Sequence, residues 1–171
     1  NPAQTLKLYD AVKEGAALTG RETVVDAYCG TGTIGLWLAP DAKEVRGIES
    51  VAEAVDDARR NAQLSGATNA SFHVGKAEEL LPQWVRQGLR PDVIVVDPPR
   101  TGCDRKLLQA IADARPKRFV YVSCNPATLA KDCRVLLDAG FRIEWIQPVD
   151  MFPQTSHVEC TVLLKWKGAS D

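Results

Sequence analysis

One cysteine, Cys124, stands where a predicted strand gives way to a predicted helix. Asn125 and Pro126 follow it, and this pair is typical of a helix N-cap and first turn. Helix N-termini and basic neighbours favour the thiolate, which is the form of cysteine that attacks carbon. Cys124 is therefore the best-placed nucleophile among the five cysteines of the chain.

An acid, Glu159, heads the last predicted strand, beside an apolar run in which a carboxylate has no packing purpose. The adjoining strands can bring this position close to Cys124. Together the two residues predict covalent catalysis, with Cys124 as nucleophile and Glu159 as general base. His157 is the rival base, although a structural hydrogen bond at the strand end is the simpler role for it.

A glycine loop follows the first predicted strand and opens a helix. Its glycines are Gly30, Gly32 and Gly35, and Glu49 ends the next strand 19 residues after Gly30. In this fingerprint the glycines let the backbone approach a ligand, and the acid accepts hydrogen bonds from ribose hydroxyls. Because NAD and S-adenosylmethionine both carry an adenosine ribose, the loop alone does not separate them.

Asp97 ends the fourth predicted strand and is followed by Pro98, Pro99 and Arg100. Two prolines cannot continue a regular ladder, so the segment forms a rigid lip at the edge where ligands of such folds bind. A dehydrogenase has no evident use for it. Many methyltransferases acting on amino nitrogens carry a similar segment that ends in an aromatic residue, but here Arg100 takes that place.

A nucleophilic cysteine, a carboxylate and a methyl donor together suggest methylation of a pyrimidine carbon. Thiolate addition to C6 of uracil makes C5 nucleophilic enough to attack a sulfonium methyl group. A base must then remove the C5 proton so that the thiol can leave, and Cys124 and Glu159 fill these two roles. The uracil must come from a single-stranded or unstacked site for C6 to be reached.

Alternating helical and strand-like segments must position these residues. Seven strands are predicted, and the most apolar, the fourth, is expected at the centre of the sheet. The last two strands have only a loop between them, so they should pair antiparallel at one edge. The sequence thus predicts an α/β, doubly wound, Rossmann-like fold with a mostly parallel seven-stranded sheet and an antiparallel edge hairpin. The predicted strands are 23–28, 44–49, 71–74, 92–97, 118–122, 141–149 and 158–166.

The helices between these strands are predicted from apolar periodicity and capping residues. A capping box of Ser50 and Glu53 is expected to begin the helix after the second strand, and Gly66 to end it. Its predicted inner face consists of Val51, Ala54, Ala58 and Ala62. The other helices are predicted at 3–18, 77–87 and 105–114 and after Asn125, where Leu129, Cys133, Leu136 and Leu137 form the expected inner face.

Length and composition fit one catalytic domain over residues 1–171. Apolar residues make up 45% and charged residues 25%, as in globular proteins. No apolar run is long enough for a membrane span and no signal peptide is visible, so a cytoplasmic protein without membrane contact is expected. Five irregularly spaced cysteines predict reduced thiols and no metal site.

Charge is distributed unevenly although the formal net charge is only −1. Between residues 100 and 135, eight basic residues face three acids, which would suit a phosphate backbone. A position on a solvent-exposed helix face explains the presence of any one of these basic residues equally well.

Several segments together resemble the RNA uracil-5-methyltransferases, which make 5-methyluridine in bacterial 23S ribosomal RNA and in transfer RNA. The resemblance implies S-adenosyl-L-methionine as cofactor, a class I methyltransferase fold, and cofactor contacts from Tyr28, Gly30, Gly32, Glu49 and Asp97. It implies Cys124 as nucleophile and Glu159 as proton acceptor. The segments are residues 26–32, 97–102, 123–126, 150–153 and 157–159.

The chain departs from that family pattern before Asn1. Members of the family carry there a phenylalanine, a glutamine that reaches the cofactor, and RNA-binding portions that include a small β-barrel and sometimes an iron-sulfur cluster. The chain is therefore expected to be an isolated catalytic domain, a monomer with an RNA substrate. The residues of its motifs resemble those of the family members that act on 23S ribosomal RNA more than those that act on transfer RNA. Phe152 and Tyr28 are candidates to stack on a base, although packing is the simpler role for each.

Three alternatives stay open at this point. One is a methyltransferase acting on a nitrogen or a small molecule, which would not need Cys124. Another is a nicotinamide-dependent dehydrogenase, which would prefer NADH. The third is a non-catalytic RNA-binding module that kept the fold.

Overall fold

The structure is a computed structural model that describes residues 2–150 and 158–168. Six helices and seven strands are found there, with a short 3-10 turn at Ala39–Asp41. The strands are β1 Thr23–Ala27, β2 Glu44–Glu49, β3 Ala70–Val74, β4 Val93–Val96, β5 Arg118–Ser123, β6 Phe141–Asp150 and β7 Val158–Trp166. The helices are α1 Pro2–Ala16, α2 Thr33–Leu38, α3 Ala52–Ser65, α4 Ala77–Arg86, α5 Arg105–Ala114 and α6 Pro126–Asp138.

One seven-stranded sheet runs through the molecule in the order β3-β2-β1-β4-β5-β7-β6. The first five strands of that order are parallel, and β7 pairs antiparallel with both β5 and β6. The expected parallel sheet with an antiparallel edge hairpin is confirmed. β4 lies at the centre, and all four of its residues are buried.

Helices cover both faces of the sheet because the central strands are apolar on both sides. In β5, Phe119 and Tyr121 join the core under α4, α5 and α6, while Val120 and Val122 join the core under α1 and α2. Helix α3 packs on a smaller cluster that includes Cys29 and Phe72. Among the described residues, no helix is long and apolar enough to cross a bilayer.

The start of α3 differs from the prediction. The helix begins at Ala52 with Val51 as an extended N-cap, and no side chain caps it, so the predicted box of Ser50 and Glu53 is wrong. Glu49 Oε2 accepts the Val51 N–H at 2.9 Å and the Ser50 hydroxyl proton at 3.5 Å, so the Ser50 side chain contacts the end of β2 and does not cap α3.

The inner faces of two helices also shift. In α3 the buried residues are Val55, Ala58 and Ala62, while Val51 is 51% exposed. In α6 they are Leu129, Asp132, Cys133 and Leu136, while Leu137 is only half-buried. The predicted cap of α6 is correct, because Asn125 accepts the Ala127 N–H at 3.0 Å.

Candidate active site

The predicted site residues lie at the carboxyl ends of the parallel strands, which we call the carboxyl edge of the sheet. Parallel strands end at the same edge, and β7 begins there because it runs the opposite way. The residues at this edge are Tyr28, Gly30 and Gly32 after β1, Glu49 at the end of β2, Asp97 after β4, Cys124 after β5 and Glu159 near the start of β7.

Cys124 and Glu159 flank the last pair of the β5–β7 ladder. That pair is Ser123 and Cys160; Cys124 follows Ser123 in a bend, and Glu159 precedes Cys160 in β7. Both residues are half-buried. The predicted nucleophile and the predicted base thus each adjoin one member of the same ladder pair.

The turn that carries Cys124 is held by its neighbours. Ser123 Oγ accepts the Asn125 N–H and donates to the Asn125 carbonyl, each at 3.0 Å. Asn125 Nδ2 donates to the Arg100 carbonyl at 3.0 Å, which ties this turn to the segment after β4. The sulfur thus lies beside the N-terminus of α6 in a fixed turn.

The other four cysteines are poor competitors for the role of nucleophile. Burial raises the pKa of the thiols of Cys29, Cys103 and Cys160, and raises that of Cys133 to about 11. Repulsion from nearby carboxylates adds to the shift at Cys29, Cys103 and Cys133. These groups stay protonated at neutral pH and attack carbon slowly.

A row of carboxyl groups runs along the same edge. Asp26 in β1 is fully buried, and its Oδ2 accepts the Gly35 N–H at 3.1 Å. Within the described part of the chain, its Oδ1 has no hydrogen-bond partner. Burial, followed by repulsion from Asp97 and Glu49, raises the pKa of Asp26 to about 8.

Asp97 is the carboxyl group that interacts with both Asp26 and Glu159. Asp97 is solvent-exposed, but protein atoms around its carboxyl group remove part of its hydration. This desolvation, with repulsion from Glu159 second, raises the pKa of Asp97 to about 6. A site that crowds carboxyl groups in this way is suited to a positively charged ligand, because the cation would favour their ionised forms.

The glycine loop has the backbone that the fingerprint requires. Gly30 has φ +57° and Gly32 has φ +87°, and Tyr28 between strand and loop also has a positive φ of 59°. Gly30 donates its N–H to Glu49 Oε1 at 3.1 Å, and a Cβ added there would meet open space. At Gly32, packing requires the absence of a side chain, since an added Cβ would lie 2.9 Å from the Phe72 ring.

A cleft of about 350 Å³ opens between the ends of β1, β2 and β3 and the segment after β4. This volume is within the range of about 300–1,000 Å³ typical of small-molecule sites. Of the seven predicted site residues, Tyr28 and Glu49 line it, and the other five are not among its lining residues. The other lining residues are Ile48, Ser50, Gly75, Lys76, Ala77, Glu78, Pro99, Thr101, Gly102, Cys103 and Asp104.

Sequence reasoning missed several of these residues. Asp26 carried a signal, since an acid inside the run Val24–Ala27 has to be explained. The walls formed by residues 75–78 and 101–104 carried no motif of their own, and only the fold brings them to the cleft. His157 and Phe152 lie outside the described residues.

Tyr28 joins two walls of the cleft. Its hydroxyl accepts the Asp104 N–H at 3.0 Å, and burial raises the pKa of Tyr28 to about 12. The hydroxyl therefore stays protonated and keeps its own proton for a further hydrogen bond.

Known proteins resemble this chain in both sequence and structure. A family model described as tRNA (uracil-5-)-methyltransferase matches residues 8–167. An uncharacterized RNA methyltransferase of Halalkalibacterium halodurans is 60% identical over 168 residues, which are 98% of this chain and 36% of that protein. The chain thus spans about a third of the length of such curated relatives.

Two solved structures extend the comparison. The tRNA (uracil-54, C5)-methyltransferase of Pyrococcus abyssi, in complex with S-adenosyl-L-homocysteine, superposes with a TM-score of 0.78 and 35% identity over 91% of this chain and 37% of that one. An rRNA methylase of Streptococcus thermophilus gives a TM-score of 0.74 at 16% identity, covering 94% of each chain, and this likeness concerns the fold alone.

The predicted class I methyltransferase fold is confirmed by these structures. The cofactor is S-adenosyl-L-methionine, as the sequence predicts. The match over residues 8–167 and the 60% identity lead to one conclusion. The chain belongs to the tRNA (uracil-5-)-methyltransferase family.

Proposed function

We propose that this domain methylates C5 of a uridine in RNA, through a covalent bond between Cys124 and C6 of the uracil. The observation that carries the proposal is the last pair of the β5–β7 ladder, Ser123 and Cys160, which Cys124 and Glu159 adjoin. A thiol and a carboxylate thus come from neighbouring parts of the sheet, at the end that also carries the cleft. Family membership and the Pyrococcus abyssi neighbour support the same chemistry.

The residues of the cleft fit S-adenosyl-L-methionine. Glu49 offers a carboxylate to ribose hydroxyls, and the open space at Gly30 allows close approach of a ligand. Tyr28 and the walls around residues 75–78 and 101–104 would hold the adenosine end. Asp97 lies toward Glu159 and would face the positively charged end, where the bound cofactor supplies an electrophilic methyl group.

The reaction then divides between two side chains. Cys124 Sγ forms a bond to C6, and the electrons of the C5–C6 double bond move to C5 and the O4 carbonyl. C5 takes the methyl group, after which it holds both a methyl group and a proton. Glu159 removes that proton, the double bond returns, and the bond from C6 to sulfur breaks.

Exposed basic residues lie near this edge and suit an RNA backbone. Arg100 follows Asp97, while Arg105 and Lys106 stand in the first turn of α5. Three other basic residues of the same stretch lie at the amino ends of the parallel strands, because they precede or begin β5: Arg115, Lys117 and Arg118. The basic residues of this stretch therefore lie at both ends of the parallel strands, and only those at the carboxyl ends can contact RNA at the site.

The finer assignment of the substrate is 23S ribosomal RNA, on the likeness of the motifs to that branch. Its test is methylation of matched transcripts of a 23S fragment and a transfer RNA by the full-length protein. Preferred labelling of the transfer RNA would contradict it.

Trapping with 5-fluorouridine tests the mechanism. Fluorine at C5 cannot leave as a proton does, so the methylated product should stay on the thiol. We expect the intact mass to rise by the mass of a short 5-fluorouridine RNA plus one methyl group, and Cys124→Ala to form no such adduct. Cys133→Ala is the matched control, since it removes a buried thiol of α6. Methyl transfer by Cys124→Ala at the wild-type rate would contradict the proposal and favour a nitrogen or small-molecule methyltransferase.

A further inference from the structure

A buried acid on α6 has no part in the chemistry described so far. Asp132 is 4% exposed and belongs to the same face of α6 as Leu129, Cys133 and Leu136. A carboxylate among apolar side chains is costly unless hydrogen bonds compensate it. Its partners therefore indicate why the position carries an acid.

One carboxylate oxygen of Asp132 joins three elements. Asp132 Oδ2 accepts the hydroxyl proton of Tyr121 in β5 at 2.6 Å and the N–H of Cys103 at 2.8 Å. Cys103 belongs to the segment 97–104 between β4 and α5, which we call the β4–α5 loop. The oxygen thus fastens that loop to α6 and to the sheet.

The loop backbone comes unusually close to this oxygen. A Cβ added to Gly102 would lie 2.7 Å from Asp132 Oδ2, and Gly102 has φ +85°. Both facts require glycine at this position, because a side chain there would clash and would strain the backbone. Gly102 and Asp132 therefore fit together as a pair.

The fastened loop forms a wall of the cleft. Pro99, Thr101 and the residues 102–104 all line it, and the Asp104 N–H extends the connection to the Tyr28 hydroxyl. The loop has a second tie to α6 at Arg100, whose carbonyl accepts protons from Asn125 Nδ2 at 3.0 Å and Thr128 Oγ1 at 3.2 Å. α6 thus holds the wall of the cleft at both ends while its N-terminus carries the turn of Cys124.

We propose that Asp132 is a positioning residue, which holds the β4–α5 loop in the shape that binds the cofactor. The inference rests on the cofactor placement within the proposed function, and it deepens that placement. Without the carboxylate, the Cys103 N–H loses its acceptor, so the wall must be ordered by the ligand at a cost in affinity.

The test is the affinity of the folded 171-residue chain for S-adenosyl-L-homocysteine, measured by calorimetry. Asp132→Asn keeps the size of the side chain and removes its charge, and we expect the dissociation constant to rise about tenfold. Asp138→Asn is the matched control on the same helix, because Asp138 is exposed and forms an ion pair with Arg134. Its affinity should equal that of the wild type.

The variant Leu136→Ala distinguishes the positioning role of Asp132 from a purely structural role. Leu136 is fully buried on the same face of α6, so its truncation lowers the melting temperature without touching the loop. We expect this variant to keep the wild-type affinity although it is less stable. An affinity loss in Leu136→Ala as large as in Asp132→Asn would overturn the inference.

Two further outcomes are decisive. Wild-type affinity in a folded Asp132→Asn variant overturns the positioning role and leaves the proposed function intact. If Asp132→Asn does not fold, Tyr121→Phe decides, since it removes one of the two bonds and keeps the carboxylate; unchanged affinity there also overturns the role. A wild-type chain that binds no S-adenosyl-L-homocysteine contradicts the cofactor placement itself.

Discussion

The parallel and antiparallel parts of the sheet build the site in different ways. In the parallel part, β1 and β2 bring Gly30 and Glu49 together over a separation of 19 residues, and one hydrogen bond joins them. In the antiparallel part, Cys124 and Glu159 come to neighbouring positions because β7 lies between β5 and β6. The first arrangement is a local unit, and the second depends on the topology of the whole domain. In the proposed function, the first is the cofactor half of the site and the second is the half that performs the chemistry.

Glu159→Gln should have the largest effect and should act on the antiparallel half alone. A glutamine cannot take the C5 proton, so we expect turnover to fall roughly 1,000-fold, within the range for loss of a general base. Ordinary uridine RNA should then stay attached to Cys124 as a methylated adduct, visible by intact mass.

The control for this change is Glu144→Gln, an acid of β6 that is ion-paired with Arg142. It should turn over normally and trap no adduct. Normal turnover by Glu159→Gln would show that another group is the base.

Glu49→Gln should act on the parallel half. The amide weakens the acceptor for the Gly30 and Val51 N–H groups and for ribose hydroxyls. We expect the affinity for S-adenosyl-L-homocysteine to fall on the order of 30-fold, as for the loss of a charged hydrogen-bond acceptor. The rate of adduct formation at saturating cofactor should stay within a few-fold of the wild type.

Glu53→Gln serves as the control, because Glu53 is an exposed acid in the first turn of α3. It should bind as the wild type does. If Glu49→Gln lowered the saturated rate as much as the affinity, the two halves of the site would not be separable.

The row of carboxyl groups links the two halves and predicts a pH effect on stability. The pKa of Asp26 rises from 3.8 to about 8 in the fold, so the folded state prefers the protonated form. Its contribution is complete below pH 3.8 and is lost as the pH rises through 8. We expect the melting temperature of the free protein to be roughly 5 °C lower at pH 8 than at pH 5, the response to about 2 kcal/mol in a domain of this size.

Asp26→Asn should flatten this dependence, since an amide does not titrate. Asp56→Asn, an exposed change on α3, should leave it in place. A wild-type melting temperature that rises from pH 5 to pH 8 would contradict a protonated Asp26.

Local sequence signals predicted much of this fold. The alternation of apolar strands and capped helices placed every strand within two residues, and Asn125 was recognised as the cap of α6. The start of α3 was missed because Glu49 competes for the backbone that Ser50 was expected to organise. Local capping rules do not include a carboxylate from the preceding strand.

The candidate site was predicted unevenly for a related reason. The glycine loop and Cys124 stand at strand ends, which a sequence reveals through turn residues and helix caps. No sequence signal singled out Asp132, and its partners Tyr121 and Cys103 are 11 and 29 residues away. Such contacts depend on how α6 packs against the loop, and no short motif encodes that packing.

The position of β7 also determines when the site is completed. β7 is the last strand along the described chain, yet it lies inside the sheet between β5 and β6. During synthesis the ribosome releases the cofactor cleft and Cys124 before the segment that carries Glu159. In the proposed mechanism, a nascent chain that stops short of β7 would have the nucleophile but no base to complete the reaction. The order of the strands therefore makes turnover depend on β7, the last strand of the described residues.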